Sequence, residues 1–393
     1  MHIVKFVALA VVFAIFVATG SPDARAQQSG EFSSRARNAI LMDADTGSVL
    51  YQKDADTPVP PASMSKLMTL ELLFKAIKDG KVKLDDEILV SENAWRTGGA
   101  PSRTSAMFVP INTRARVDEM IQGIIVQSGN DVSIAVAEHL AGTETAFAKE
   151  MEAEGKRIGL KHSTFRNATG LSTPDHLMSA RDLAILARHI IKTYPEHYAI
   201  FAQREFQYRK HKFFNRNPLL GADIGIDGLK TGHTKEAGYG IVVSAVSDGR
   251  RLIGVVMGLD DETQRREEAR KLIEWGQRGF AKFTLFGADD DIGYARVWGG
   301  TSMYVPLTGK GGELTVVLPR FPANQKLRAE VVYNGPLKPP IRKGDEVAVL
   351  RVTTSSNATS EAALVAKEDV ETGSLWRRGL DSLLFLALRW ANL

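Results

Sequence analysis

The chain has 393 residues, of which 44% are hydrophobic and 24% charged, and this ordinary globular composition excludes a disordered or fibrous protein. A net charge of only +4 gives no reason to expect a nucleic-acid partner. The chain has no cysteine, and its eight histidines show no zinc-type pairing, so thiol catalysis is excluded and we expect neither a metal nor a cofactor.

The N-terminus predicts a secretory signal peptide. Lys5 supplies a basic start, residues 6–19 form an apolar run, and residues 24–26 (Ala-Arg-Ala) place small side chains at both positions that direct cleavage. The apolar run is shorter than the ~20 residues that a membrane-spanning helix needs, which favours cleavage over an uncleaved anchor. We therefore predict that residues 1–26 are removed and that the mature chain acts in the periplasm.

The first half of the mature chain predicts a hairpin followed by helices. Apolar residues around the turn Asp45-Thr46-Gly47 indicate a β-hairpin over residues 37–53. From Ala62 to Lys78 apolar residues recur at helical spacing, so we expect a largely buried helix there. Further helices are predicted from Val117 to Val126, Asp131 to Leu140, Glu144 to Ile158 and Ser179 to Lys192.

A second hairpin follows the helical block. Its strands are expected from Tyr239 to Val246 and from Arg251 to Met257, and a charged amphipathic helix follows from Glu262 to Trp275. Strands at both ends of the segment with helices between them indicate one sheet assembled from distant sequence. Residues 27–279 are therefore predicted to form an α/β (α+β) domain in which an antiparallel sheet packs against helices.

Beyond this domain the pattern changes to short β-rich runs separated by Gly and Pro turns. Residues 280–373 are predicted to form a small all-β domain, within which the polar stretch Thr353 to Ser360 is expected to be a loop. Residues 374–393 predict an amphipathic helix, with apolar residues such as Trp376 on one face and Arg378 and Arg389 on the other. We interpret residues 375–393 as an interfacial membrane anchor rather than a helix docked on the β domain.

The segment Ser63-Met64-Ser65-Lys66 combines a nucleophile with its activator. At the start of a helix, a lysine three residues after a serine lies on the same face and can reach the serine oxygen. A desolvated or cation-rich pocket can lower the pKa of Lys66 enough for its amine to take the proton of Ser63. Alone, this pattern more often marks a capping serine followed by a surface lysine.

Two further segments carry polar groups suited to such a site. Ser128-Gly129-Asn130 lies between two predicted helices and offers a hydroxyl and an amide that could relay a proton and hold a carbonyl group, although a plain helix-capping turn has the same sequence. Lys230-Thr231-Gly232 precedes the second hairpin. On an edge strand, Lys230 and Gly232 would share a face, with the glycine giving clearance for an extended peptide.

The three segments occur in the order that characterises penicillin-recognising serine enzymes, Ser-x-x-Lys, Ser-x-Asn and Lys-Thr-Gly, and the chain resembles that family. Within it, the stretches 61–69, 127–131 and 227–234 are similar to the low-molecular-mass D,D-carboxypeptidases, and the likeness covers nearly the whole mature chain. The resemblance implies a penicillin-binding/β-lactamase-like fold followed by the β domain.

The same resemblance implies a role for each site residue. Ser63 would be the acylated nucleophile, with Lys66 as its general base. Ser128 and Lys230 would pass the proton to the leaving D-alanine while Asn130 holds the substrate amide. The oxyanion would lie between the backbone N–H groups of Ser63 and His233. Thr231 and Arg216 would bind the terminal carboxylate, which suits the forked guanidinium of arginine.

The expected function is a serine-type D-alanyl-D-alanine carboxypeptidase that shortens peptidoglycan stem pentapeptides through an acyl-enzyme and is covalently inhibited by β-lactams. The protein would be attached peripherally to the outer face of the cytoplasmic membrane. One alternative is a class A-like β-lactamase, although residues 164–182 lack the glutamate that drives deacylation there. The other is a non-catalytic peptidoglycan-binding protein. The sequence leaves the oligomeric state open.

Overall fold

The structure is a computed structural model that describes residues 32–288, 290–320, 326–354, 359–379 and 381–382. The predicted signal peptide and residues 383–393 of the predicted anchor lie outside the described residues. The chain divides into two compact units. Residues 32–45 and 49–277 belong to the larger unit, and residues 46–48 and the described residues from 278 onward belong to the smaller one.

The elements of the larger unit are joined by tight turns and by longer connections, such as residues 159–179. Its strands are β1 Asn38–Asp43, β2 Val49–Lys53, β3 Glu87–Leu89, β4 Arg114–Arg116, β5 Glu205–Tyr208, β6 His211–Phe214, β7 Ile226–Thr234, β8 Gly238–Ser247 and β9 Arg250–Leu259. Its helices are α1 Lys66–Lys78, α2 Glu92–Gly98, α3 Val117–Gln122, α4 Asn130–Ala141, α5 Glu144–Ile158, α6 Ala180–Thr193, α7 Pro195–Tyr198 and α8 Glu262–Gly279.

A five-stranded antiparallel sheet in the order β2-β1-β9-β8-β7 forms the centre of this unit. The first hairpin pairs with the last strand, which confirms that one sheet combines distant sequence. Ile40 and Met42 of β1 face a core shared with α1 and α6, whereas Ala39 and Leu41 face a second core shared with α8. Helices therefore cover both faces of the sheet and β7 forms one of its edges.

The helix that was predicted to start at Ala62 is present, but its first turn, Ala62–Ser65, is a 3-10 turn that continues into α1. The prediction from Val117 to Val126 was wrong at its end. There α3 gives way to a single π-helical turn, Gly123–Gln127. The lack of a side chain at Gly123 lets this turn pack closely against Met107, because a Cβ at Gly123 would lie 2.4 Å from the Met107 sulfur. Such π-turns are frequent at functional sites, and this one leads directly into Ser128.

The smaller unit is built of strands β10 to β16, which confirms the predicted all-β character. The predicted loop from Thr353 to Ser360 was wrong at its ends, because Thr353 pairs with Thr359 and Val352 with Ser360; β-branched threonines fit a strand well. Residues 375–379 and 381–382 are helical. No helix among the described residues combines the length and apolarity needed to cross a membrane. The strands are β10 Phe280–Phe286, β11 Gly293–Arg296, β12 Tyr304–Gly309, β13 Leu314–Pro319, β14 Leu327–Val332, β15 Glu346–Thr354 and β16 Thr359–Ala366.

Candidate active site

The turn that carries Ser63 places the hydroxyl of this serine beside a buried lysine. Lys66 is 0% exposed, and its Nζ lies 3.0 Å from Ser63 Oγ and 2.6 Å from the carbonyl oxygen of Thr169. Ala62, directly before the serine, has a positive φ of 49°. A non-glycine residue in this region costs of order 1–3 kcal/mol and persists only where its surroundings enforce it. The turn is therefore held in a conformation that brings the amine to the hydroxyl.

The carbonyl that contacts Lys66 belongs to residues 167–170, which we call the strap. The Asn167 side-chain oxygen accepts hydrogen bonds from the backbone N–H of Thr169 (3.0 Å) and of Gly170 (2.8 Å). The Ala168 N–H donates to Glu144 at 2.9 Å. These residues were not predicted as part of the site, although Asn-Ala-Thr-Gly is a recognisable turn sequence in which the Asn side chain bonds the backbone two residues on.

The surroundings of Lys66 bring its pKa close to neutral pH. Burial lowers its pKa, and the positive charge of Arg216 lowers it further, whereas the carboxylates Asp131 and Glu144 oppose both effects; the result is a pKa of about 7 against an ordinary 10.5. A lysine in this state exists partly as the free amine at neutral pH. It can therefore accept the proton of Ser63, which an exposed lysine could not do.

The second predicted segment lies at the N-terminus of α4, which packs against α1. Ser128 has a positive φ of 62°, and its Oγ is buried with no hydrogen-bond partner among the described residues. Asn130 donates from Nδ2 to Thr104 at 2.8 Å, while its Oδ1 is likewise buried and unpartnered within the described part of the chain. Buried polar atoms are rarely left unsatisfied, so these two are candidates to bind substrate.

The third segment lies on β7, the predicted edge strand. Lys230 is buried, and its Nζ lies 3.1 Å from the carbonyl oxygen of Thr231. Burial, together with the positive charges of Lys66, Arg216 and Arg265, holds the pKa of Lys230 well below its ordinary value. Cations from four distant segments, Lys66, Arg216, Lys230 and Arg265, therefore lie near one place, which an anionic group could occupy.

The structure gives a different reason for Gly232 from the one predicted. A Cβ there would lie 2.8 Å from the Pro61 carbonyl oxygen and 3.2 Å from the Ala62 Cβ. The clearance that glycine provides therefore lets β7 approach the Ser63 turn, and clearance for a substrate peptide stays a prediction. His233 follows on the strand with an exposed ring that stacks on Tyr239 at a centroid distance of 3.9 Å.

Arg216 follows β6 and contacts the same loop as Asn130, at Ser105. Its Nη1 donates to Ser105 Oγ at 2.7 Å, and the Asn130 N–H donates to the Ser105 carbonyl at 2.7 Å. The buried Asp131 carboxylate holds this loop by accepting the Met107 N–H at 2.9 Å. Ser105 and Asp131 were not predicted as site residues, since nothing in the local pattern separates them from ordinary loop and cap residues.

One group of possible metal ligands occurs among the described residues. Glu71, Glu154 and His189 place ligand atoms within 4.8 Å of one another. Lys75 lies 3.2 Å from Glu154, and the Arg157 guanidinium contacts the same carboxylate. Because these cations already neutralise the carboxylates, the arrangement is that of a buried ion network.

Comparisons with known proteins agree with this geometry. A family model described as D-alanyl-D-alanine carboxypeptidase matches residues 23–261, and one described as penicillin-binding protein 5, C-terminal domain, matches residues 280–372. The chain is 36% identical over 358 residues to D-alanyl-D-alanine carboxypeptidase DacC of Escherichia coli (strain K12), covering 90% of this chain and 89% of that protein.

Solved structures extend the likeness. Penicillin binding protein 5 from Haemophilus influenzae superposes with a TM-score of 0.74 at 34% identity, covering 87% of this chain and 99% of that one. Penicillin-binding protein D2 from Listeria monocytogenes, in the ampicillin-bound form, gives a TM-score of 0.55 at 28% identity, covering 63% of this chain and 99% of that one.

The fold and the three converging segments thus define a penicillin-recognising serine enzyme. The chain belongs to the D-alanyl-D-alanine carboxypeptidase family, and it is a serine hydrolase with the two-part architecture of the penicillin-binding protein 5 group.

Proposed function

We propose that this enzyme removes the terminal D-alanine from peptidoglycan stem pentapeptides through an acyl-enzyme on Ser63. The observation that carries the proposal is the fully buried Lys66 amine, 3.0 Å from Ser63 Oγ, with a pKa of about 7. A general base with a pKa near the working pH is the most effective kind.

In the acylation step Lys66 Nζ takes the Ser63 proton as Oγ attacks the carbonyl carbon of the penultimate D-alanine. The developing oxyanion is stabilised by the backbone N–H groups of Ser63 and His233. As the C–N bond breaks, the proton held on Lys66 passes through Ser128 and Lys230 to the departing amine. D-Alanine leaves, and water then hydrolyses the Ser63 ester to release the shortened peptide.

Substrate selection follows from the cations around β7. A carboxypeptidase must recognise a free C-terminus, and Lys230, Arg216 and the Thr231 hydroxyl would bind that carboxylate, while the unpartnered Asn130 Oδ1 accepts a hydrogen bond from the substrate amide. β-Lactams carry a carboxylate beside a reactive carbonyl, so they would acylate Ser63 at the same place. Since residues 164–182 contain no glutamate, we expect the penicilloyl ester to be released slowly.

Mass spectrometry of a synthetic pentapeptide ending in D-Ala-D-Ala tests the activity. The wild type should release one D-alanine, and Ser63→Ala should release none. Folded wild-type protein that leaves the peptide intact would refute the proposal and favour a non-catalytic peptidoglycan-binding protein.

We further propose that residues 1–26 direct export, and that the enzyme works in the periplasm on the outer face of the cytoplasmic membrane, attached through residues 375–393. The support is the apolar N-terminal run and the exposure of Leu375 (81%) and Trp376 (86%) at the start of the C-terminal helical residues.

Deletion of residues 375–393 tests the attachment. The truncated enzyme should keep full activity on a soluble pentapeptide but move from the membrane fraction to the soluble fraction. A double variant, Leu375→Ala with Trp376→Ala, should shift the distribution in the same direction by a smaller amount. Unchanged fractionation of the truncated enzyme would contradict the attachment.

A further inference from the structure

His176 is a buried histidine to which the mechanism above gives no role. It lies in the segment 164–178, whose ends pair through the backbone of Thr164 and Leu177. The same segment contains the strap, whose Thr169 carbonyl contacts Lys66. His176 is thus placed where the strap meets the turn that carries Ser63.

The hydrogen bonds of His176 define which ring nitrogen carries the proton. The Arg166 N–H donates to Nδ1 at 3.1 Å, so Nδ1 is an acceptor and carries none. Burial and the positive charges of Arg166 and Lys66 lower the pKa of His176 to about 4, which keeps the ring neutral at neutral pH. The single proton is therefore on Nε2, which lies 2.7 Å from Ser65 Oγ and donates to it.

Ser65 lies between the nucleophile and the base, and it is completely buried. The strap presses against the turn at the same point, because a Cβ on Gly170 would lie 1.9 Å from the Ala62 carbonyl oxygen and 3.1 Å from Ser65 Cβ. Three hydrogen bonds consequently join α1 and its first turn to the segment 164–178. Lys66 Nζ and Thr69 Oγ1 donate to the Thr169 and Ala168 carbonyls of the strap, and His176 Nε2–H donates to Ser65 Oγ.

We propose that His176 is a positioning residue for acylation: its bond to Ser65 holds the turn against the segment that carries the strap, so that Lys66 Nζ contacts both Ser63 Oγ and the Thr169 carbonyl. The inference rests on the proposed role of Lys66 as general base. Removing the ring would loosen this junction and open space for water beside the amine. Hydration of the amine would then raise its pKa towards the ordinary value.

The test compares His176→Ala with His176→Gln, whose side-chain amide can donate from the position of Nε2. The rate of covalent labelling by a fluorescent penicillin is measured from pH 5 to pH 9. For His176→Ala we expect the labelling rate at pH 7 to fall by about 10-fold or more, which is the size of effect that misplaced general-base catalysis produces. The acid limb of the pH–rate profile should also move to higher pH. His176→Gln should recover most of the rate and the wild-type limb.

Two further variants separate positioning from mere stability. His197→Gln is the matched control, because His197 is another buried histidine, stacked on Phe74, and should leave labelling unchanged. Ser65→Ala removes the acceptor of the same bond, so the double variant with His176→Ala should be no slower than the slower single variant. It also provides the test should His176→Ala not fold.

A lower melting temperature for His176→Ala with wild-type labelling rate and acid limb would overturn the inference, as would losses that multiply in the double variant. Failure of the proposed function has a different signature, since wild-type enzyme would then not be labelled at all, or Ser63→Ala would still be labelled.

Discussion

Lys66 on α1 and Lys230 on β7 are both buried lysines, yet their surroundings differ. Lys66 contacts a hydroxyl and a carbonyl, and the carboxylates Asp131 and Glu144 partly offset its burial, so its pKa is about 7. Lys230 is hydrogen-bonded to the Thr231 carbonyl, and the charges that influence it are all positive. The first environment suits a base that gains and loses a proton, and the second suits the binding of an anion.

The difference assigns separate tasks to two chemically identical side chains. A carboxylate bound beside Lys230 would offset the surrounding positive charges and favour its ammonium form. Substrate binding would thus supply a negative charge that the surrounding residues do not. Variants at each lysine test this difference.

The largest effect is expected for Lys66→Met, which removes the base. Labelling by a fluorescent penicillin should fall by about 10³-fold, within the range for loss of general-base catalysis. Lys66→Arg should fare no better, because a guanidinium keeps its proton in proteins. Near-normal labelling of the arginine variant would show that the positive charge, and not the free amine, is what matters.

Lys230→Met should cost less and should depend on the substrate carboxylate. We expect a fall of about 10²-fold in kcat/KM for a pentapeptide acid, the size of a lost charge-assisted hydrogen bond. The corresponding pentapeptide amide, a poor substrate for the wild type, should lose less, because only the contribution of Lys230 to the proton relay is then removed. Equal losses on acid and amide would contradict a carboxylate-binding role for Lys230.

A smaller, pH-dependent effect is expected for Arg216→Gln. Because the Arg216 charge helps to lower the pKa of Lys66, its removal should raise that pKa and move the acid limb of the labelling profile to higher pH. The rate at pH 7 should fall several-fold, whereas the loss near pH 9 should be smaller, because only the contribution of Arg216 to carboxylate binding then remains. A uniform loss across the pH range would mean that Arg216 acts on binding alone.

The smallest effect concerns stability. Because folding lowers the pKa of Lys66 from 10.5 to about 7, the unfolded chain binds a proton between these values that the folded chain does not, and the wild type gains stability as pH rises from 7. Lys66→Met removes this cost, so its melting temperature should exceed that of the wild type at pH 7 and the advantage should shrink towards pH 10. Calorimetry at both pH values measures the difference, and a constant gap would contradict the low pKa.

Local rules were sufficient to predict the parts of the site that lie on regular elements. Helical spacing placed Lys66 beside Ser63, and Lys230 was expected on an edge strand just upstream of the second hairpin. The strap was not predictable in this way, because Thr169 meets Lys66 across 103 residues of sequence. For the same reason, the close approach of Gly232 to the Pro61 backbone could not be predicted from the sequence around either residue.

The fold shows the same division between local and distant information. The boundaries of α5 agree with the predicted helix, since its charged and apolar residues alternate at helical spacing and Gly159 follows its end. By contrast, β1 is buried at all six positions because helices cover both faces of the sheet. Only the assembled sheet explains why Ala-Ile-Leu-Met occurs there without polar alternation.

The claim on which all of this depends is that the free amine of Lys66 takes the proton of Ser63. The rate of Ser63 acylation by a fluorescent penicillin, followed from pH 5 to pH 9, tests it most directly. We predict a rate that rises with pH through an apparent pKa near 7, the value for the buried amine. A rate that stays level across this range, in enzyme labelled on Ser63, would contradict it.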